Sequence, residues 1–222
     1  MSAILTLDED IRAAVRERAL TLSLATTGTL TNVSAAGSAY TRGSGSFVTN
    51  GFKVGDEIVA SGFGQSGNNG RALITALTAT VMTVDRALTT ESAGASVSIA
   101  SGFWQGRSWE GRPFTPVTGV PYISEQLRAV YSQVRALGKG GTVAHRFASV
   151  FRLNYPAGTG TNPIDRMAGA LRYLFEPGTA LVYGGATAIV TNVERTPLDT
   201  STPWLSCSVI ASITAYTAMQ LA

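Results

Sequence analysis

The sequence predicts an α+β fold: two helices packed on a mostly antiparallel or mixed sheet, with a small all-β, barrel-like domain inserted after the first helix. Three observations predict it. An amphipathic helix pattern opens the chain in "LDEDIRAAVRERALTLSLA". From about Leu24 to Phe103 the texture changes to Thr, Ser, Gly and Ala, with short apolar runs between turn clusters. A second, well-punctuated helix pattern follows in "TNPIDRMAGALRYLFEPG", with strand patterns on both sides of it. Helices of this length are marginal alone and need a sheet to pack on. The sheet comes after the β-rich stretch. Residues 24–103 therefore read as a guest module, and residues 1–23 with 104–222 as one discontinuous core.

The first helix is expected over about residues 8–22. Asp8, Glu9 and Asp10 suit a helix N-terminus; Ile11, Ala14, Val15, Ala19 and Leu22 share one face, with Arg12, Arg16, Glu17 and Arg18 mostly outside it. In the guest, "SGSFVTNGFKVGDEIVASGF" reads as tight hairpins. Phe47-Val48, Phe52 with Val54, and Ile58-Val59 are separated by turns at Asn50-Gly51 and Gly55-Asp56. "SAYTRG", "RALITALTATVMTVD" and "ASVSIAS" supply further short strands, the spacing of a small barrel or sandwich.

The core resumes at Trp104, Trp109 and Phe114, where Pro113, Pro116 and Pro121 hold the chain extended. "YISEQLRAVYSQVRALG" is ambiguous: Ile123, Leu127, Val130, Val134 and Leu137 fit a helix, and a long strand fits as well. "ASVFRLNYPAGTG" alternates Val150, Arg152 and Asn154 against Phe151, Leu153 and Tyr155, a strand ending in a Pro/Gly loop. In the second helix Asn162 is the expected N-cap, Pro163 occupies the first helical position and Asp165 is placed to reach back. Ile164, Met167, Ala168, Leu171, Leu174 and Phe175 form its apolar stripe, and Pro177-Gly178 ends it. Two strands should follow, "ATAIVTNVERT" and "PWLSCSVIASITAYT", the second with Leu205, Cys207, Val209, Ala211, Ile213 and Ala215 on one side.

Hydrophobic residues make up 45% of the chain and charged ones only 14%, which excludes a disordered protein and leaves a surface short of charge, as subunit contacts are. The net charge of +3 comes from singly scattered basic residues, so direct DNA or RNA binding is not expected as the main task. "MSAILTLDED" lacks the pattern of a signal peptide, no stretch is apolar enough for a membrane span, and the single Cys207 suits a reducing cytoplasm.

Catalytic chemistry is not expected. His145, the only histidine, has no visible partner, and Cys207 sits mid-strand in an apolar pattern. One Cys and one His offer no zinc spacing, and the carboxylates are dispersed. "ALGKGGT" fails as a phosphate loop because Gly140 follows Lys139, and "PAGTGTNP" carries no lysine, which leaves it a strand-to-helix turn. The reading is a non-enzyme with no cofactor and no metal.

The outer segments resemble the tail terminator proteins of long-tailed, lambda-like bacteriophages. The order of elements carries the resemblance: the short helix "DEDIRAAVRERAL", the proline-rich "RPFTPVTGVPYI" leading into a long strand, "YPAGTGTNPIDRMAGALRYLFEPGTAL", and two final strands, one introduced by Trp204. It covers about residues 1–23 and 104–222 and favours a strand for the ambiguous segment, at least through about Tyr131. The inserted residues depart from the simple family pattern and look like a small β-module of phage structural proteins.

The resemblance implies a structural virion protein at the head-proximal end of the tail, assembled in the host cytoplasm. Its partners would be copies of itself in a hexameric ring, the tail tube protein, and the head–tail connector or stopper protein. DNA would only pass through the lumen, and no membrane is involved. Other expectations are another ring-forming virion component, such as a stopper or tube protein, and more remotely a glycan-binding module, for which Tyr40 is the guest's only Tyr or Trp. Contacts with the neighbouring subunit or tube are expected from the loops "GKGGTVAHR" and "NYPAGTG", with Lys139, Arg146 and Tyr155 as candidates.

Overall fold

The computed structural model describes residues 6–102, 106–111, 113–137, 141–158, 160–200 and 203–218. In chain order its elements are α1 (Leu7–Leu20), then β1 (Ser23–Leu30), β2 (Val33–Arg42), β3 (Glu57–Ser61), β4 (Gly70–Leu77), β5 (Val81–Glu91) and β6 (Val97–Gly102). They continue with β7 (Gly106–Trp109), β8 (Tyr122–Val134), β9 (Thr142–Pro156), α2 (Asn162–Leu174), β10 (Ala180–Tyr183), β11 (Ala186–Arg195) and β12 (Trp204–Ala218). The protein is mostly β with largely antiparallel sheets, consistent with α+β. It divides into two compact units, Met1–Leu20 with Gly106–Ala222, and Thr21–Gln105.

The unit Thr21–Gln105 is a six-stranded antiparallel sheet in the order β1-β6-β3-β4-β5-β2. Its first and last strands pair, with Ser23 opposite Gly102, so the two ends of the unit come together. Its core includes Tyr40, Phe47, Phe52, Ile58, Ile74, Met82 and Ile99. The hairpins expected between residues 44 and 56 are not there. That stretch is a series of turns in which Phe47 and Phe52, 0% and 2% exposed, set their rings edge-to-face at 6.1 Å. Burying both rings as a plug outweighs the strand propensity of so short a run.

A polar network holds the loop before β4. Buried Asn68 bonds to the Thr89 backbone in both directions, the Arg86 guanidinium reaches the carbonyls of Asn68 and Asn69, and Glu91 accepts the N–H groups of Gly64 and Gln65. The Gln65 N–H is the main cause holding the Glu91 carboxyl below the usual glutamate range. Tyr40 is fully buried, with its hydroxyl donating to the Asn68 carbonyl, so it is no exposed platform for a sugar ring.

The other unit is a six-stranded sheet in the order β10-β11-β12-β9-β8-β7, antiparallel except for the β7–β8 pair. The ambiguous segment is a strand: Tyr122–Val134 pairs with β9. β9 and β12 run in unbroken register over the full 15 residues of each. α1 packs over β10 and β11, and α2 over β12, β9 and β11. The alternation does the rest: Phe147, Phe151 and Leu153 of β9 and Cys207, Val209, Ala211 and Ile213 of β12 are buried on the helix side, with the Phe151 ring 5.3 Å from that of Phe175.

α2 starts one residue differently from expectation. Thr161 is the N-cap, no side chain caps it, and Pro163 lies in the first turn. Asp165 does not reach back; its carboxylate meets the Arg195 guanidinium of β11 at 2.6 Å. A charge-assisted bond to a neighbouring strand replaces the local cap.

Leu171 is fully buried and Arg172 exposed on adjacent positions of α2. Leu171→Ala is expected to lower unfolding stability by about 2–5 kcal/mol. Arg172→Ala should cost under about 0.5 kcal/mol. Chemical denaturation of the two variants checks this, and equal losses would mean that the helix is docked by another face.

Candidate subunit-contact surface

β9 has partners on both sides, β12 on one and β8 on the other, so at this end of the sheet the exposed edge falls on β8 wherever the short β7 does not reach. Its outer edge is covered unevenly. β7 pairs with Tyr122–Glu125 only, and the Glu110 carboxylate then accepts the N–H of Leu127 at 3.2 Å. Every residue of β8 from Arg128 to Val134 is exposed. A β-bulge falls at Val130, between the pairs Ala129–Phe147 and Tyr131–Arg146. A bulge on an edge strand bends the edge and re-aims its side chains.

The free edge is apolar and basic. Val130 is 56% exposed, Tyr131 47%, Val134 46%, and Leu137 beyond the strand 87%; Tyr216 on β12 is exposed nearby in the ladder. The Arg146 guanidinium lies over the Tyr131 ring, 5.3 Å from its centroid, close enough for a cation–π contact. His145 ties three strands together: its Nδ1 is 2.8 Å from Ser132 Oγ of β8 and its Nε2 2.8 Å from Thr217 Oγ1 of β12. Either neutral tautomer donates one of these bonds and accepts the other. From Gln126 to Ile164 the sequence holds no carboxylate, while Arg128, Arg135, Lys139, Arg146 and Arg152 fall within it.

The inner half of β8 is treated in the opposite way. Arg12 pairs with Glu110, Arg16 Nε donates to Glu125 at 2.8 Å, and Arg18 donates to the Leu174 carbonyl at the end of α2. The Glu125 side chain is 2% exposed, and burial pushes its carboxyl above the usual glutamate range, with Arg16 opposing. The Arg12 hydrogen bond holds the Glu110 carboxyl below it. α1 is thus fastened to the inner half of the strand whose outer half is bare.

The residues singled out by sequence fall unevenly on this surface. Arg146 belongs to it, as an exposed residue of β9 rather than of a loop. Tyr155 also lies on β9 rather than on a loop and is 2% exposed in its own unit. Lys139 and Trp104 lie outside the described residues. Val130, Tyr131 and Val134, exposed here, were not among the sequence candidates; Val130 and Val134 fell in the stripe that fits a helix as well as a strand. The long run without a carboxylate was the signal that could have found them.

Cys207 is 3% exposed and its thiol is pushed up by burial, the state of an inert core residue. Among the described residues no group of three or more His, Cys, Asp or Glu is placed to hold a metal ion. No helix among them is long and apolar enough to cross a membrane.

No curated protein matches the chain. A solved structure is similar at 17% identity, over 53% of this chain and 81% of that one, with a TM-score of 0.42. The family model described as "Phage tail terminator protein" matches residues 100–212, the stretch that holds β7 to β11, α2 and most of β12. Over half the chain matches that model, on the unit that carries the free β8 edge, and the chain belongs to the phage tail terminator family.

Proposed function

We propose that this protein is the subunit of a closed ring, a hexamer, that caps the head-proximal end of the tail tube, stops addition of tube protein and joins the tail to the head connector. Family membership carries this reading, and the bare outer half of β8 supplies the means of self-association. A head-to-tail contact that closes makes a ring, and a ring matching only one end of a tube must terminate it. DNA passes through the lumen, and the ring resides in the virion.

The contact proposed is heterologous. Two β8 edges facing each other would set the basic side chains of one copy, Arg128 and Arg135, against those of the other, which Asp8 of α1, beside Val130 and Arg146, offsets only in part. The opposite edge of the sheet, β10, suits better. It presents Val182 and Tyr183, 61% and 40% exposed, with exposed Glu176 just before it and Asp10 of α1 beside Gly184 just after it. The outer half of β8 in one subunit would thus pair with β10 of the next, basic edge to acidic edge.

The unit Thr21–Gln105 is proposed to be a guest that decorates this ring, because its entering and leaving strands already pair with each other. Replacing residues 22–104 with a short Gly/Ser linker should leave one cooperative unfolding transition, and the excised unit should show a strand-dominated circular dichroism spectrum. Loss of cooperative unfolding in the deletion would show that the two units need each other.

Tube length in a mixture with tube protein tests the function. The full protein should hold tubes short, whereas Arg146→Glu and Tyr131→Ala should fold normally and let tubes run on. An anchor of either type buried at an interface is worth about 2 kcal/mol, roughly thirtyfold in affinity. Unchanged tube growth with the unaltered protein would refute the terminator reading.

A further inference from the structure

On the sheet face opposite the helices, β8, β9 and β12 contribute two successive rungs, Tyr122–Asn154–Ser206 and Ser124–Arg152–Ser208. They floor an open cavity of about 430 Å³, within the size range of small-ligand and side-chain pockets. Its wall is aromatic. Tyr122 stands between Phe114, at 5.3 Å, and Trp204, edge-on at 5.2 Å. Its floor is already satisfied: Asn154 and Ser206 are 3% and 5% exposed, Ser206 Oγ donates to Asn154 Oδ1 at 2.9 Å, and Asn154 Nδ2 donates to the Arg152 carbonyl.

Arg152 is different. It is exposed, and among the described residues it is the only charged one lining the cavity and no carboxylate pairs with it. Its cross-strand neighbours Ser124 and Ser208 are short, which leaves its guanidinium open on both sides. Tyr, Trp and Arg are the three residue types that dominate binding energy at protein interfaces. Here one of each converges on one concave, preorganised site.

We infer that this cavity receives a carboxylate carried by an extended segment of a partner protein. The carboxylate would take the paired N–H groups of Arg152, and the flanking chain would lie across Tyr122 and Trp204. A guanidinium matches a carboxylate in this bidentate way. The site lies away from the bare half of β8, so it serves a second contact rather than the ring contact.

The carboxylate can belong to an Asp or Glu side chain or to a chain terminus, and the experiment separates the two. The whole protein is titrated with acetyl-Gly-Asp-Gly-amide, its Asn counterpart, acetyl-Gly-Gly-Leu with a free carboxylate, and inorganic phosphate. The readout is the Trp204 indole N–H resonance, assigned by its loss in Trp204→Phe. At least one carboxylate peptide should shift it, the Asn peptide should not, and Arg152→Gln should weaken binding about tenfold or more, or 1.4 kcal/mol, with unfolding unchanged. Which peptide binds tells side chain from terminus. No shift with either carboxylate peptide, an equal shift with the Asn peptide, or tighter binding of phosphate would overturn the assignment. Ring formation by Arg152→Gln stays intact in either case, and the terminator reading is tested by the unaltered protein on tube growth, so the two results stand or fall separately.

Discussion

The structure depends on β9 being hydrogen-bonded along its length by two neighbours. Its 15 residues run in unbroken register with β12, and β8 follows it to the far end with one bulge. The helices do not follow it so far. Burial on β8 ends at Leu127, although the strand continues to Val134. The outer half of β8 therefore leaves the packed layer with its register fixed and, among the described residues, with its outer edge unpaired. An unpaired edge carrying exposed Val130, Tyr131 and Val134 is an aggregation hazard in a monomer and a joint in an assembly.

Charge is distributed along the same division. Inside the layer, Arg12 and Arg16 meet Glu110 and the buried Glu125, an arrangement that fixes α1 against β8 but contributes little net stability, since taking Glu125 out of water offsets most of the attraction. Its worth is in position: it holds the inner half of β8 in place. Outside the layer basic residues predominate along β8 and β9, with Asp8 of α1 the acid that lines the same surface beside Val130, Tyr131 and Arg146. The acids beside β10 lie at the other edge of the same sheet, and in the proposed ring they would face the basic edge of the next subunit.

Much of this fold was legible where periodicity was long. The stripe of α2 and the alternation of β12 gave the buried residues except Leu174 and Leu205, which are half-buried, and the alternation of β9 had already set Tyr155 on the side of Phe151 and Leu153, where it is buried. What escaped was short or doubly readable. β10 and β7 have four residues each, too few for a pattern. Apolar residues of β8 at positions 123, 127, 130 and 134, with Leu137 just beyond it, fit a helix because the bulge and the bare edge spoil the strict alternation that marks a half-buried strand. The glycines before Thr142 signalled a turn, but the strand resumes at once, which moved Arg146 from a loop to a ladder. The aromatic and Arg152 cavity joins residues from distant parts of the chain, and no local motif announces it.

The central claim is that the outer half of β8 is the edge on which the next subunit adds. Amide hydrogen exchange, read residue by residue in the free subunit and in the assembled ring, tests it most directly. The account predicts that amides between Arg128 and Val134 exchange quickly in the free subunit and become protected in the ring together with those of Val182 and Tyr183. Protection of neither segment in a ring that has formed would contradict it.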